Sequence, residues 1–293
     1  MIKETFFNVA PEFFENSFSS HQVNIGEQLL HYTDWNSEGA RAIVLVHGLN
    51  VQAHTWDPIA ADLANDFRVV CPDLRGHGDS GRGADYWMSS FVADLAGLVD
   101  HLRLERFVLV GHSLGAKVAL SYAGTYPDRV ARLVLSDTGP ELPKSASKFA
   151  QNVLATSGDV KGFRDENQAM DHFRTLNPEW REVFIRLHAR YQLRKNWAGK
   201  LVFKVDPDVF WLTGSTGSID NPYVWEMTSK VLAPTLALWA EHSIFFDEDL
   251  AQRMLSVLPN GRIERVMDSG HFIPRERPEA VVDAIRRFID SEV

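Results

Sequence analysis

Residues 111–115 read Gly-His-Ser-Leu-Gly. They lie between an apolar run, Arg106-Phe-Val-Leu-Val110, and a helix-forming stretch, Ala116-Lys-Val-Ala-Leu-Ser-Tyr122. Strand, Gly-x-Ser-x-Gly, helix is the setting in which these five residues form a turn too sharp for neighbouring side chains. Gly111 and Gly115 remove those side chains. Ser113 is then held in a strained conformation, with its Oγ exposed at the carboxyl end of a strand and at a helix N-terminus. A chain with this turn must bring a strand end and a helix start to one point. The serine there calls for a base, an orienting acid and a site for developing negative charge.

The rest of the chain supplies the matching architecture. Short apolar runs recur at 42–46, 67–71, 106–110, 132–136 and 235–239, with a more polar one at 262–266. The first five are nearly continuous in apolarity, which suits strands covered on both faces. Helical patterns fall between them at 56–63, 88–102, 114–123, 250–258 and 278–289. Such alternation predicts a mostly parallel sheet of an α/β fold with right-handed crossovers. Residues 21–35 differ: two short segments flank Gly26-Glu27 and read as an antiparallel hairpin. Before it, Phe6, Phe7, Phe13, Phe14 and Phe18 form a hydrophobic arm that packs on the body or joins a second copy. A monomer or a homodimer is therefore expected.

Residues 140–230 break the alternation. They carry Phe149, Phe163, Phe173, Trp180, Phe184, Tyr191, Trp197, Phe203, Phe210 and Trp211 without a strand–helix repeat. This stretch reads as a helical cap inserted into a core formed by 1–139 and 231–293. Its aromatics either line a substrate cavity or form the cap's own core.

Composition narrows the partners. The 293 residues carry a net charge of −9, which disfavours nucleic acid or an anionic membrane surface. Cys71 is the only cysteine, so an internal disulfide is excluded. No leader pattern and no apolar run of roughly 18 residues is present, which makes a cytoplasmic, non-membrane protein the expectation.

A serine nucleophile needs a base. Asp268-Ser-Gly-His-Phe272 follows the last strand-like run and precedes the terminal helix, which makes His271 the candidate. Negative charge developing on a carbonyl oxygen needs N–H donors. One is the Leu114 backbone, next to the serine. The other is the Leu49 backbone in the loop His47-Gly-Leu-Asn-Val-Gln-Ala-His-Thr-Trp56, where Gly48 permits a tight turn. His47 reads as a structural hydrogen-bonder. Gly48, Trp56 and His112 are candidates for the substrate pocket, with packing the competing role for Trp56.

His47-Gly48-Leu49, Asp73-Leu-Arg-Gly-His-Gly-Asp-Ser80, Gly111-His-Ser-Leu-Gly115 and Gly270-His271-Phe272 occur in this order along the chain. In this the chain resembles the α/β-hydrolase superfamily, from about residue 21 onward. The resemblance implies an eight-stranded, mostly parallel sheet and a hydrolase needing neither metal nor organic cofactor. It also implies an acid after the seventh strand, in a pattern like Gly-x-x-Asp. Here that stretch is Ala240-Glu-His-Ser243, and the acid position is a serine. Three carboxylates could replace it, and Asp137 is the one expected to. Asp137 ends the sixth strand-like run, where haloalkane dehalogenases and some lactone hydrolases of this superfamily place theirs. Glu241 lies two residues before the vacancy. Asp247 lies four after it and has a helix cap as its competing role.

Dehalogenases and epoxide hydrolases of the superfamily use Asp as nucleophile, so Ser113 points elsewhere. The expected reaction is hydrolysis of a carboxylic ester or lactone of a mid-sized apolar small molecule. Carbon–carbon bond hydrolysis of a ring-cleavage diketone uses the same three residues and stays open, as does a cofactor-free perhydrolase. A ligand receptor on the same scaffold is the non-enzymatic alternative, kept open by Ser243.

Overall fold

Strand runs that are apolar on both faces dictate a sheet buried on two sides, and that is what the chain forms. The computed structural model describes residues 11–39, 41–143, 146 and 162–291, with 210–219 described as backbone alone. The strands of the main sheet are β1 (Ser19–Ile25), β2 (Gln28–Trp35), β3 (Ala42–Val46), β4 (Arg68–Pro72), β5 (Phe107–His112), β6 (Val130–Ser136), β9 (Thr235–Ala240) and β10 (Gly261–Val266). Their order is β1-β2-β4-β3-β5-β6-β9-β10. Pairing is parallel throughout except where β2 meets β1 and β4. The eight-stranded, mostly parallel α/β sheet is thus present, and the hairpin turns at Gly26, whose φ is 60°.

Helices fill the crossovers: α1 (Asp57–Leu63), α2 (Met88–His101), α3 (Leu114–Thr125), α7 (Glu248–Val257), α8 (Ile273–Glu276) and α9 (Pro278–Asp290). Val44 and Val46 point to the layer containing α2 and α3. Ile43 and Leu45 point to the layer containing α1 and α9. Within the hydrophobic arm, Phe14 is buried and both Phe14 and Phe18 pack on Trp35. The arm therefore lies on the body as far as it is described; Phe6 and Phe7 lie outside the described residues. Cys71 is buried and free.

Between β6 and β9 the chain forms α4 (Glu166–Leu176), α5 (Glu182–Tyr191), a small hairpin of β7 (Leu193–Lys195) and β8 (Leu201–Phe203), and the long α6 (Pro207–Thr228). The hairpin was not legible in the sequence, because its strands are three residues each and carry no alternation. Phe163 and Phe173 build a separate small cluster with Ile185 and Leu193, whereas Phe184 joins the main core. Trp197 is exposed at the hairpin tip. Phe149 lies outside the described residues, as do the side chains of Phe210 and Trp211. Among the described residues, no helix is long and apolar enough to cross a membrane.

Candidate active site

The turn after β5 is as tight as its glycines predict. A side chain on Gly111 would stand 2.3 Å from the Gly115 carbonyl oxygen, and one on Gly115 would stand 2.3 Å from that of Val46. Both distances are shorter than any real Cβ contact, so only glycine fits. Ser113 takes φ 53° and ψ −117°. That is a left-handed, strained conformation for a residue with a side chain. The Ser113 side chain does not cap the helix that starts at Leu114.

His271 lies in the loop between β10 and α8. Its Nε2 is 3.0 Å from Ser113 Oγ, and its Nδ1 is 2.8 Å from Asp137 Oδ2. A carboxylate only accepts, so Nδ1 carries the proton and Nε2 accepts from the serine hydroxyl. The ring is held by its neighbours. Phe245 stacks on it at 4.1 Å, and His112 and Phe272 pack at 5.0 and 5.3 Å. Nothing in the sequence singled out Phe245.

Asp137 follows β6 directly, with φ 53° and no solvent exposure. Its Oδ1 accepts the Ala240 N–H at 3.0 Å. Its Oδ2 accepts from His271 Nδ1 and from the Ser243 hydroxyl. Ser243 Oγ in turn accepts the Phe245 N–H at 3.0 Å. The seventh strand of the main sheet is β9, and it lies directly beside β6. A carboxylate at the end of β6 therefore reaches the space that an acid at 243 would occupy. The serine left there donates to that carboxylate, a part that sequence reasoning missed. The other two carboxylates are engaged elsewhere. Glu241 Oε2 accepts the Asp268 N–H at 2.8 Å. Asp247 caps α7 by accepting the Leu250 N–H at 2.9 Å.

Gly48 brings the loop after β3 against Ser113: a side chain there would stand 3.1 Å from Ser113 Cβ and 2.9 Å from His112 Nδ1. Leu49 follows it directly. Leu114 is the first residue of α3, where an N–H has no intrahelical acceptor. His47 fixes the loop from below. Its Nδ1 donates to the Gly48 carbonyl at 2.7 Å, and its Nε2 accepts the Leu74 N–H at 3.0 Å. The neutral imidazole satisfies both bonds, and burial pushes its pKa down. His112 is also buried, and its Nε2 donates to the His271 carbonyl at 2.9 Å. Burial, and then the charge of His271, lower its pKa well below the ordinary histidine range. His112 thus braces the loop that carries His271 and stays neutral.

Trp56 corrects an expectation. It is fully buried in the core with Ile59 and Leu63 and has no surface to offer a substrate. Its position eight residues past Gly48, at the root of α1, places it behind the loop rather than in front of it.

The remaining His/Asp cluster, His31 with Asp73 and Asp79, is close enough in geometry to hold a cation. Its groups are already committed. Asp73 accepts from His31 at 2.7 Å, Ala53 N at 2.6 Å and Asp79 N at 2.8 Å. Asp79 pairs with Lys204 at 2.7 Å. The cluster ties the loop after β4 to the loop after β3.

A family model for the alpha/beta hydrolase fold matches residues 41–278. The soluble epoxide hydrolase of Corynebacterium sp. (strain C12) is 27% identical over 291 residues, covering 92% of this chain and 96% of that protein. Esterase YbfF of Escherichia coli (strain K12) is 26% identical over 264 residues, covering 88% of this chain and 97% of that protein. The crystal structure of E-2-(acetamidomethylene)succinate hydrolase superposes with a TM-score of 0.85 at 24% identity, over 94% of this chain and all of that one. The sheet order, the turn at Ser113 and the match over most of the chain agree: this chain belongs to the α/β-hydrolase fold family.

Proposed function

We propose that this protein is a serine hydrolase that cleaves a carboxylic ester or lactone through an acyl-enzyme on Ser113. The observation that carries this reading is the unbroken chain Ser113 Oγ, His271, Asp137, at 3.0 and 2.8 Å. His271 Nε2 takes the hydroxyl proton as Oγ attacks the carbonyl carbon. The Leu49 and Leu114 N–H groups hold the oxyanion, a contribution of about 3–4 kcal/mol per donor in such sites. His271 then returns the proton to the departing alcohol, and water repeats the sequence to free the acid. Asp137 holds the imidazole in the productive tautomer and stabilises its charge. Ser243 and the Ala240 N–H hold Asp137. No step needs a metal or an organic cofactor. Residues 140–230 act as a cap over the site, which suits a mid-sized substrate.

Esterase YbfF is named for this reaction class, and the serine nucleophile favours it over epoxide opening. The test pairs an activity-based label with two substrates. A fluorophosphonate is expected to add to Ser113, located by peptide mass spectrometry, and p-nitrophenyl acetate to be hydrolysed. Rapid loss of a coloured ring-cleavage dienoate with negligible ester turnover would overturn the ester assignment in favour of carbon–carbon hydrolysis. Absence of an adduct, together with tight reversible ligand binding, would overturn the enzyme assignment in favour of a receptor.

A further inference from the structure

The exposure pattern along α3 singles out one residue. Gly115, Ala116 and every residue from 118 to 124 are buried. Ser113, Leu114 and Lys117 are only partly so. Residues three and four apart share a helix face. Leu114, next to the serine, and Lys117 are therefore the part-exposed residues of one strip on the first turn of α3, roughly 5 Å apart along the helix axis.

Lys117 is poorly paired for a cation at this depth. Its Nζ lies 3.5 Å from Asn221 Oδ1 in α6, at the edge of hydrogen-bond range. Among the described residues no carboxylate oxygen comes within 4.0 Å of it. The two acidic groups that act on it have other partners. Asp220 accepts the Met88 N–H at 3.1 Å. Glu141 accepts from Trp225 Nε1 at 3.0 Å and from Arg253 Nη2 at 2.5 Å. An ammonium taken out of water with no direct ion pair is costly, and an anion brought to it would supply the missing pair.

We infer that Lys117 is a specificity-determining residue that receives a carboxylate on the substrate, so that the ester cleaved at Ser113 is an acidic one. This rests on the ester-hydrolase reading above. The scissile carbonyl would lie over Ser113, and the carboxylate would lie a few bonds away along the same strip of α3. Burial lowers the Lys117 pKa to about 8, with Glu141 and Asp220 acting to raise it. The ammonium therefore persists at pH 7, and the preference for an acidic ester fades as pH rises through 8.

The test compares monoethyl succinate with ethyl butyrate, which differ by a carboxylate in place of a methyl group, by ethanol release at pH 7. The wild-type protein is expected to favour the acidic ester in kcat/KM. The ratio of the two esters is expected to fall about 10–100-fold in Lys117→Met, the range of a charge-assisted hydrogen bond. Lys117→Arg is expected to restore most of it. Equal ratios in the wild type and Lys117→Met would overturn the inference while leaving the ester reading standing. Calorimetric titration of Ser113→Ala with monoethyl succinate separates the two claims, because it needs no turnover. Binding that weakens when Lys117→Met is added supports the anion site even if no ester is cleaved. Binding that does not weaken overturns it.

Discussion

Ser113 and Asp137 end neighbouring strands, β5 and β6, and both adopt φ 53°. They are specified in different ways. The turn at Ser113 is marked by five consecutive residues, two of which must be glycine: a side chain on Gly111 would meet Gly115, and one on Gly115 would meet Val46 of the neighbouring strand. The corner at Asp137 is assembled from β6, the loop after β9 and the loop after β10, with Ser243 106 residues away in the chain. Both glycine requirements are written in one short run of sequence. A carboxylate that only has to touch His271 Nδ1 can come from either strand beside the site, and sheet order decides which positions qualify.

The comparison can be broken at either end. Ser113→Ala removes the nucleophile and is expected to lower kcat by about 10⁵–10⁶-fold, with circular dichroism unchanged. Substantial residual turnover would mean that another group attacks. Asp137→Asn is expected to cost about 10³–10⁴-fold, as loss of the correct histidine tautomer does. In the same assay Glu241→Gln should stay within a few-fold of wild type. The opposite ranking would move the acid to Glu241.

Two smaller effects sharpen the contrast. Gly115→Ala places a Cβ against the Val46 carbonyl and is expected to cost about 3 kcal/mol of stability by urea denaturation. No change would show that the turn can relax. Ser243→Ala removes one of the donors to Asp137 and is expected to lower kcat roughly tenfold, consistent with one hydrogen bond to a charged group. The effect should lie in kcat with little change in KM, because Ser243 acts through Asp137 and His271.

The same contrast explains what could be read from the chain. The parallel strands, their crossover helices, Ser113, His271 and the Gly48-Leu49 loop are each marked by a short run whose physics is self-contained. Asp137 could be preferred among three carboxylates, because it ends the strand expected beside the one that usually carries the acid. The structure adds its contacts with His271 and Ser243 and shows Glu241 and Asp247 bonded elsewhere. The bracing role of Ser243 was invisible for a related reason. A serine in a vacated acid position reads as a loss until the carboxylate it donates to is seen. Trp56 misled because a loop next to the nucleophile suggests pocket lining, and only burial shows that its ring points into the core. The β7–β8 hairpin was too short for any periodicity to register.

Asp137, at the end of β6, is proposed to serve His271 in place of an acid at 243 in the loop after β9. Moving it back tests that directly. The kcat/KM of Asp137→Asn is to be compared with that of Asp137→Asn/Ser243→Asp. If the two positions serve one site, the double variant should regain at least about tenfold over the single one, because a carboxylate at 243 can again hold His271. A double variant no more active than Asp137→Asn, with Asp137→Asn itself close to wild type, would contradict the relay from Asp137 through His271 to Ser113.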